Sequence, residues 1–295
     1  MGKIAIIGAT GHYGGKAIEY LLQRNVNPAD IVAIYRNEEK AKPLKEKGLE
    51  LRYGDYQKDG FGPKVFEGAE KLLFVSGMDP DSLKRIKDHI VVVDAARKAG
   101  IKHIVYTGFA YPEKSVYGLE NVHLATECAI KAAGLPYTFL RNTFYTEYFL
   151  APNELKRAVN SGVLYSTAQG RKINFVSRDD MAKAAAVVLT TEGHINKTYE
   201  ITAPEAYSYK DIADILSEVT GKKVEYVETT KEAYAAYLTE IGVPKELQMW
   251  DSGMMQPGLA NGWAENTDPA LANLIGLDQI KTPRQIIAEI FKNQE

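Results

Sequence analysis

The stretch ENVHLATECAIKAAG, residues 120–134, sets His123 and Glu127 four residues apart in a run with helical spacing, so both side chains leave on the same side. An imidazole beside a carboxylate suits proton transfer, with the carboxylate orienting the ring; a histidine buried in a helix–helix contact is the plainer alternative. A metal role lacks a third ligand at a recognisable spacing. A second constellation opens the chain. In IAIIGATGHYGG, Gly8, Gly11 and Gly14 end one apolar run and begin an amphipathic one. Glycines there let the backbone approach a diphosphate, and Gly8, Ala9, Thr10, Gly11, His12, Tyr13 and Gly14 would present helix N-terminal N–H groups to it. The ligand-free alternative is a tight strand–helix turn.

The residue ending the second strand selects between dinucleotides. A carboxylate there would accept both ribose hydroxyls of NAD. The chain instead reads AIYRN, with Arg36 at the strand end and no carboxylate before Glu38. The planar fork of a guanidinium matches a 2′-phosphate, which favours NADP(H) and leaves NADH as the less favoured cofactor; an ordinary surface arginine is the competing reading. Two more strand ends line the same edge. Asp55 in YGDY falls beside the adenine, and Ser76, Gly77 and Met78 in FVSGMD fall beside the ribose and diphosphate. No flavin or metal motif is visible.

These residues need a sheet to hold them in one row. KIAIIGA (3–9), DIVAIYR (30–36), LELRYGD (49–55), KLLFVSG (71–77), HIVYTGF (103–109) and YTFLRN (137–142) read as strands, separated by helical patterns that include 14–24, 82–99 and 121–133. Strands joined by crossover helices make a parallel sheet buried on both faces, so the fold class is α/β: a Rossmann-type doubly wound parallel sheet with a smaller, mostly helical C-terminal lobe. After GDYQKDGFGP the next helix must be short. Ser177 with Asp180 opens a helix over 177–190 through a capping-box-like signal, KTYEITA is a further strand, and Ser208 and Gly221 bound another helix. The expected division is residues 1–142 plus about 177–203 for the dinucleotide domain, about 143–176 and 204–282 for the lobe, and 283–295 for a C-terminal helix.

The bulk numbers narrow the class. With 36 Lys+Arg against 38 Asp+Glu, the chain has no basic excess for a phosphate backbone, so no nucleic-acid partner is expected. No apolar run is long enough to span a bilayer, so no membrane partner is expected either. A single cysteine, Cys128, forms no internal disulfide and suits a reducing cytoplasm. A homodimer is left open.

The blocks GATGHYGG, AIYRN, GDY, KLLFVSG, AGIKHIVYTG, VHLATE, PYTFLRNTFYTEYF and GHINKTYE, in this order, resemble the NmrA-like group of atypical short-chain dehydrogenases/reductases, and within it the branch that reduces dyes and quinones. The resemblance runs over nearly the whole chain. It implies a Rossmann domain that binds NADPH, a small C-terminal lobe and a substrate cleft between them. Ordinary members of the superfamily carry Tyr-x-x-x-Lys where this chain has His123 and Glu127, and they often place a catalytic serine or threonine at the position of Thr107. The resemblance thus makes His123 and Thr107 candidate catalytic residues, and the strand-end Asn142 joins them because its amide can bond the nicotinamide carboxamide or an acceptor oxygen, a plain strand cap being the alternative.

Without the tyrosine, reduction of a simple ketone loses an acid worth ~10²–10⁴ in rate. A conjugated acceptor needs less help, because a quinone becomes an aromatic hydroquinone anion and a triarylmethane cation is neutralised at carbon. Positioning alone supplies much of such a reaction. Asn142, Phe144, Tyr145, Tyr148 and Trp250 are the candidate substrate-binding residues, with Phe149 equally at home in the core and Met249, Met254 and Met255 beside Trp250 as a pliable cover. The expected function is an NADPH-dependent reductase of a small aromatic substrate, a quinone or a triphenylmethane-type dye. The alternative is a regulator that binds NADP(H) without turnover.

Overall fold

Side chains of the predicted strands alternate between two buried layers, and that alternation is what the architecture uses. In the computed structural model, which describes residues 2–249 and 251–292, seven strands form the central sheet: β1 (Lys3–Ile7), β2 (Ile31–Tyr35), β3 (Glu50–Tyr53), β4 (Ala69–Phe74), β5 (His103–Phe109), β6 (Tyr137–Asn142) and β7 (Lys197–Ile201). Their order is β7-β6-β5-β4-β1-β2-β3 and every pairing is parallel. The chain reverses direction across the sheet between β1 and β4, the switch point where open α/β sheets leave a crevice at the carboxyl ends of their strands.

Ile4, Ile6, Ile31, Ala33, Leu73, Val105 and Leu140 face one layer, built from α1 (His12–Gln23), α2 (Glu38–Glu46) and α5 (Arg178–Thr190). Ala5, Ile7, Val32, Ile34, Leu72, Phe74, Ile104, Tyr106 and Phe139 face the other, built from α3 (Ser82–Lys98) and α4 (Glu120–Ala132). The expected short helix after β3 is a single 3₁₀ turn, Pro63–Phe66, which buries Val65 and Phe66. Among the described residues, no helix is long and apolar enough to cross a membrane.

The chain leaves the sheet after β6, builds small β-pairs and helices, returns through α5 and β7, and leaves again. The lobe has its own core of Phe144, Phe149, Leu155, Phe175, Tyr209, Leu216, Trp263 and their neighbours. Its helix Tyr209–Thr220 begins with a full capping box: Asp211 N–H donates to Ser208 Oγ (3.1 Å) and Ser208 N–H to Asp211 Oδ2 (2.8 Å). At Ser177 the pattern is half of that. Asp180 N–H donates to Ser177 Oγ, but the Asp180 carboxylate takes the Ser177 hydroxyl and Lys281 N–H instead. Helix Ala270–Ile275 packs back on α5 and β7, whereas helix Pro283–Lys292 packs on Tyr209–Thr220.

Candidate active site

The turn between β1 and α1 leaves space for a ligand by having almost no side chain. Gly8 has a φ of +81°, open to glycine at little cost. A Cβ on Gly14 would lie 2.3 Å from the Gly8 carbonyl oxygen, so α1 can sit this close to β1 only with glycine there. Gly11 caps α1 without a side-chain bond, and the first turn carries no acid, which leaves the N–H groups of an exposed helix start free. Ala9 is buried beneath the turn and Thr10 is half-buried. His12 is exposed at the rim, 3.9 Å from Glu147. Tyr13 turns inward, its hydroxyl donating to Met181 O (3.0 Å) and locking α1 to α5.

On the same side of the switch point, after β2, Arg36 is exposed with its guanidinium 5.7 Å from the Tyr56 ring centre, and among the described residues no carboxylate pairs with it. Asp55 is turned to its own loop, accepting from Gln57 N–H (3.2 Å) with Lys58 Nζ 3.7 Å away. Met78 is 70% exposed.

Ser76, Gly77 and Thr107 belong to a polar web beneath the ends of β4 and β5. Ser76 N–H donates to Thr107 Oγ1 (2.9 Å), and that hydroxyl points back to Phe74 O (3.5 Å), so Thr107 ties two strand ends together. Gly77 N–H donates to His89 Nε2 (3.1 Å); His89 Nδ1–H donates to Thr126 Oγ1 (2.8 Å), which donates to Val122 O (2.8 Å). Arg85 Nη2 donates to Ser76 Oγ (2.6 Å) and to His123 Nε2 (3.4 Å). A guanidinium only donates, so the neutral His123 ring carries its proton on Nδ1 and donates to Tyr106 Oη (2.9 Å). Burial and then the Arg85 charge hold His89 down to about 3 and His123 well below the usual histidine range.

Asn142 ends β6 with its side chain 2% exposed, close to the hydroxyls of Tyr13 and Tyr145. Neither its amide oxygen nor its nitrogen makes a hydrogen bond of good geometry, and the two tyrosine hydroxyls are its near polar neighbours. Two unpaired polar atoms at such depth are costly unless something arrives to pair them. Beyond Asn142 the aromatic residues divide. Phe144 and Phe149 pack with ring centres 4.3 Å apart and planes tilted by 46°, buried in the lobe core. Tyr145 and Tyr148 are half-buried, with the Arg178 guanidinium 5.8 and 5.7 Å from their ring centres. Trp250 lies outside the described residues. Trp263 does join the aromatic wall, 5.0 Å from Phe109 and 5.4 Å from Phe144, and Phe109 stacks on the His123 ring at 5.8 Å.

Residues 1–256 match the model of the NmrA-like family. The chain belongs to the NmrA-like family. Within it, the chain is 35% identical over 275 residues to quinone oxidoreductase 2 of Escherichia coli K12, an alignment covering 92% of this chain and 93% of that one. The crystal structure of Citrobacter sp. triphenylmethane reductase complexed with NADP(H) superposes with a TM-score of 0.92 at 40% identity, covering 98% and 100% of the two chains. The E. coli NADPH-dependent quinone oxidoreductase complexed with NADPH gives 0.89 at 34%, covering 98% and 99%.

In this NmrA-like chain, the suggested couple of His123 and Glu127 does not form. Glu127 grips Arg141 through two bonds, Arg141 Nε to Oε1 (2.9 Å) and Nη2 to Oε2 (2.8 Å), while the same guanidinium reaches Glu200 (3.1 Å) and Glu113 (2.9 Å). A bidentate pairing with the half-buried guanidinium of Arg141 outcompetes a neutral imidazole for the carboxylate. Both His123 nitrogens are already occupied, and the Thr107 hydroxyl is used between strands. His123 has no ring nitrogen left over, while the Thr107 oxygen keeps one lone pair. Sequence reasoning passed over Arg85 and His89, although they show the same four-residue spacing in α3 that singled out His123 and Glu127 in α4. It also passed over Arg178, whose guanidinium lies over the Tyr145 and Tyr148 rings, and Trp263, which packs in the lobe core against Phe109 and Phe144.

Proposed function

We propose that this NmrA-like chain is an NADPH-dependent oxidoreductase that passes hydride to a conjugated aromatic acceptor, a quinone or a triphenylmethane-type dye. The observation that carries the reading is the unpaired, buried Asn142 amide between the phosphate turn and the Tyr145–Tyr148 pair. An amide with a free donor and a free acceptor suits the carboxamide of a nicotinamide, which offers the complementary pair. When bound, the dihydronicotinamide supplies the hydride. The rest is done by the chain. The turn at Gly8, Gly11 and Gly14 takes the diphosphate on backbone N–H groups, and Arg36 takes the 2′-phosphate. Tyr145 and Tyr148 offer flat apolar faces to the acceptor, with the lobe excluding water. His123 acts as a positioning residue that holds Arg85 and supports Phe109. The two relatives named for quinone and dye reduction, both solved with this class of cofactor, support the same reading.

The dinucleotide unit in this reading is the seven-stranded sheet with its helices, joined by Ala270–Ile275. The exposed thiol of Cys128 fits a reducing compartment, and we place the protein in the cytoplasm. The test is loss of NADPH absorbance with purified protein and a quinone, then with a cationic triphenylmethane dye. Turnover with either is expected. Tight NADPH binding without turnover of any acceptor would return the chain to a dinucleotide-sensing role.

A further inference from the structure

The half-buried and buried arginines of this protein have carboxylates, with one exception. Arg52 pairs with Glu50, Arg141 with three glutamates, Arg157 with Asp251 and Arg178 with Glu147. Arg85 is 9% exposed and, among the described residues, has only neutral partners, the Ser76 hydroxyl and the His123 ring. Its Nε has no partner at all. A buried cation with an unused donor is expensive, and the usual relief is an anion. Its place says which anion. Through Ser76 and Thr107 the guanidinium is tied to the ends of β4 and β5, on the α3–α4 side of the sheet, and through the His123 ring, which stacks on Phe109, it stands behind the aromatic cluster of Phe109, Trp263 and Phe144. The phosphate turn lies across the switch point, at α1.

Resting on the reductase reading above, we propose that Arg85 is the catalytic cation that stabilises the oxygen anion formed when a quinone is reduced, the charge that the absent lysine would otherwise supply. A quinone that accepts a hydride, with its electron pair, becomes a hydroquinone monoanion and then takes one proton from water. The dihydronicotinamide, having lost the hydride, is left as the oxidised cation. A triarylmethane cation that accepts the same hydride ends neutral and gives Arg85 nothing to stabilise. The neutral state of His89 and His123 beside it leaves Arg85 as the positive charge of this web.

The test compares wild type with Arg85→Met and Arg85→Lys. In Arg85→Met the ratio of kcat/KM for a quinone to kcat/KM for a cationic dye falls at least about tenfold, as for loss of one donor to a developing oxyanion. NADPH affinity stays within about twofold of wild type, and Arg85→Lys recovers most of the ratio. A second readout needs no turnover. With NADP⁺ present, 4-nitrophenol bound to wild type ionises at a lower pH than when bound to Arg85→Met, by about one pH unit, a tenfold change in equilibrium. An unchanged ratio with weakened NADPH binding would assign Arg85 to the cofactor phosphates and overturn the proposal, as would equal titration of 4-nitrophenol in the two proteins. If wild type turns over neither acceptor, the reductase reading fails on its own, and the 4-nitrophenol titration still decides Arg85.

Discussion

Arg36 and Asn142 mark the two ends of the proposed dinucleotide, and each fails in its own way when altered. Arg36→Ala should raise the KM for NADPH far more than that for NADH, by about tenfold or more for a charge-assisted phosphate contact; equal effects on the two would remove the 2′-phosphate assignment. Asn142→Ala deletes two buried atoms that have no partner, so thermal unfolding of the ligand-free protein should occur at the same or a higher temperature. The stabilisation that NADPH adds to the wild type should shrink in the same variant, because the amide's partner is then missing. Arg36, Asn142 and the glycine turn were legible in the sequence because each sits at a strand end, a position that the close of an apolar run locates to within a residue or two. The partner of His123 was not legible. Helical spacing puts Glu127 on the same side as His123, but it carries no information about Arg141, which arrives from β6 and takes the carboxylate first.

At the scale of elements, the α1–β1 contact and the α4–β6 contact each hang on one feature. Gly14→Ala places a methyl where the Gly8 carbonyl already is, so α1 must move off β1. Loss of NADPH binding together with a lower unfolding midpoint is the expected result, read by fluorescence titration and thermal melting. Glu127→Gln keeps shape but removes one of the three carboxylates around the half-buried Arg141, and should cost about 1.5–3 kcal/mol in urea unfolding. NADPH affinity should survive that change, since the cluster of Arg141, Glu127, Glu200 and Glu113 acts on strands and not on the cleft. The sheet strands and the helices that cross between them were readable because burial on both faces writes near-continuous apolar runs. The lobe was harder to read. Its strand pairs are two to four residues long, too short for a period to show, and Trp263 meets Phe109 across a sequence distance that no local pattern spans.

For the molecule as a whole, buried histidines set the response to acid. His89, His103 and His123 all have folded-state pKa values depressed below 6.5, His89 to about 3 and His103 to about 4, with burial the first cause in each. A depressed histidine is neutral when folded but takes a proton when unfolded. Its contribution is therefore full above about pH 6.5 and is lost as the pH falls toward the folded value, at about 1.4 kcal/mol per pH unit per group. Glu154 has the opposite sign. Burial and the neighbouring Asp251 push it up to about 7, so its contribution is full below about 4.5 and is lost as the pH rises to neutrality. Between about pH 4.5 and 6.5 the two effects oppose and three histidines outweigh one carboxyl, so melting temperatures should fall on acidification from pH 6.5, and Glu154→Gln should make that fall steeper. Both excursions into the lobe depart from neighbouring strand ends: Ile201 is paired with Asn142 in the sheet, and Thr143 N–H is bonded to Ile201 O at 3.2 Å. The lobe is thus hung on a two-stranded pivot whose axle is the backbone of Asn142 itself. In the reading proposed above, a rocking of the lobe onto an acceptor would also turn the Asn142 amide, so the two molecules that must meet for reaction would be sensed by one joint.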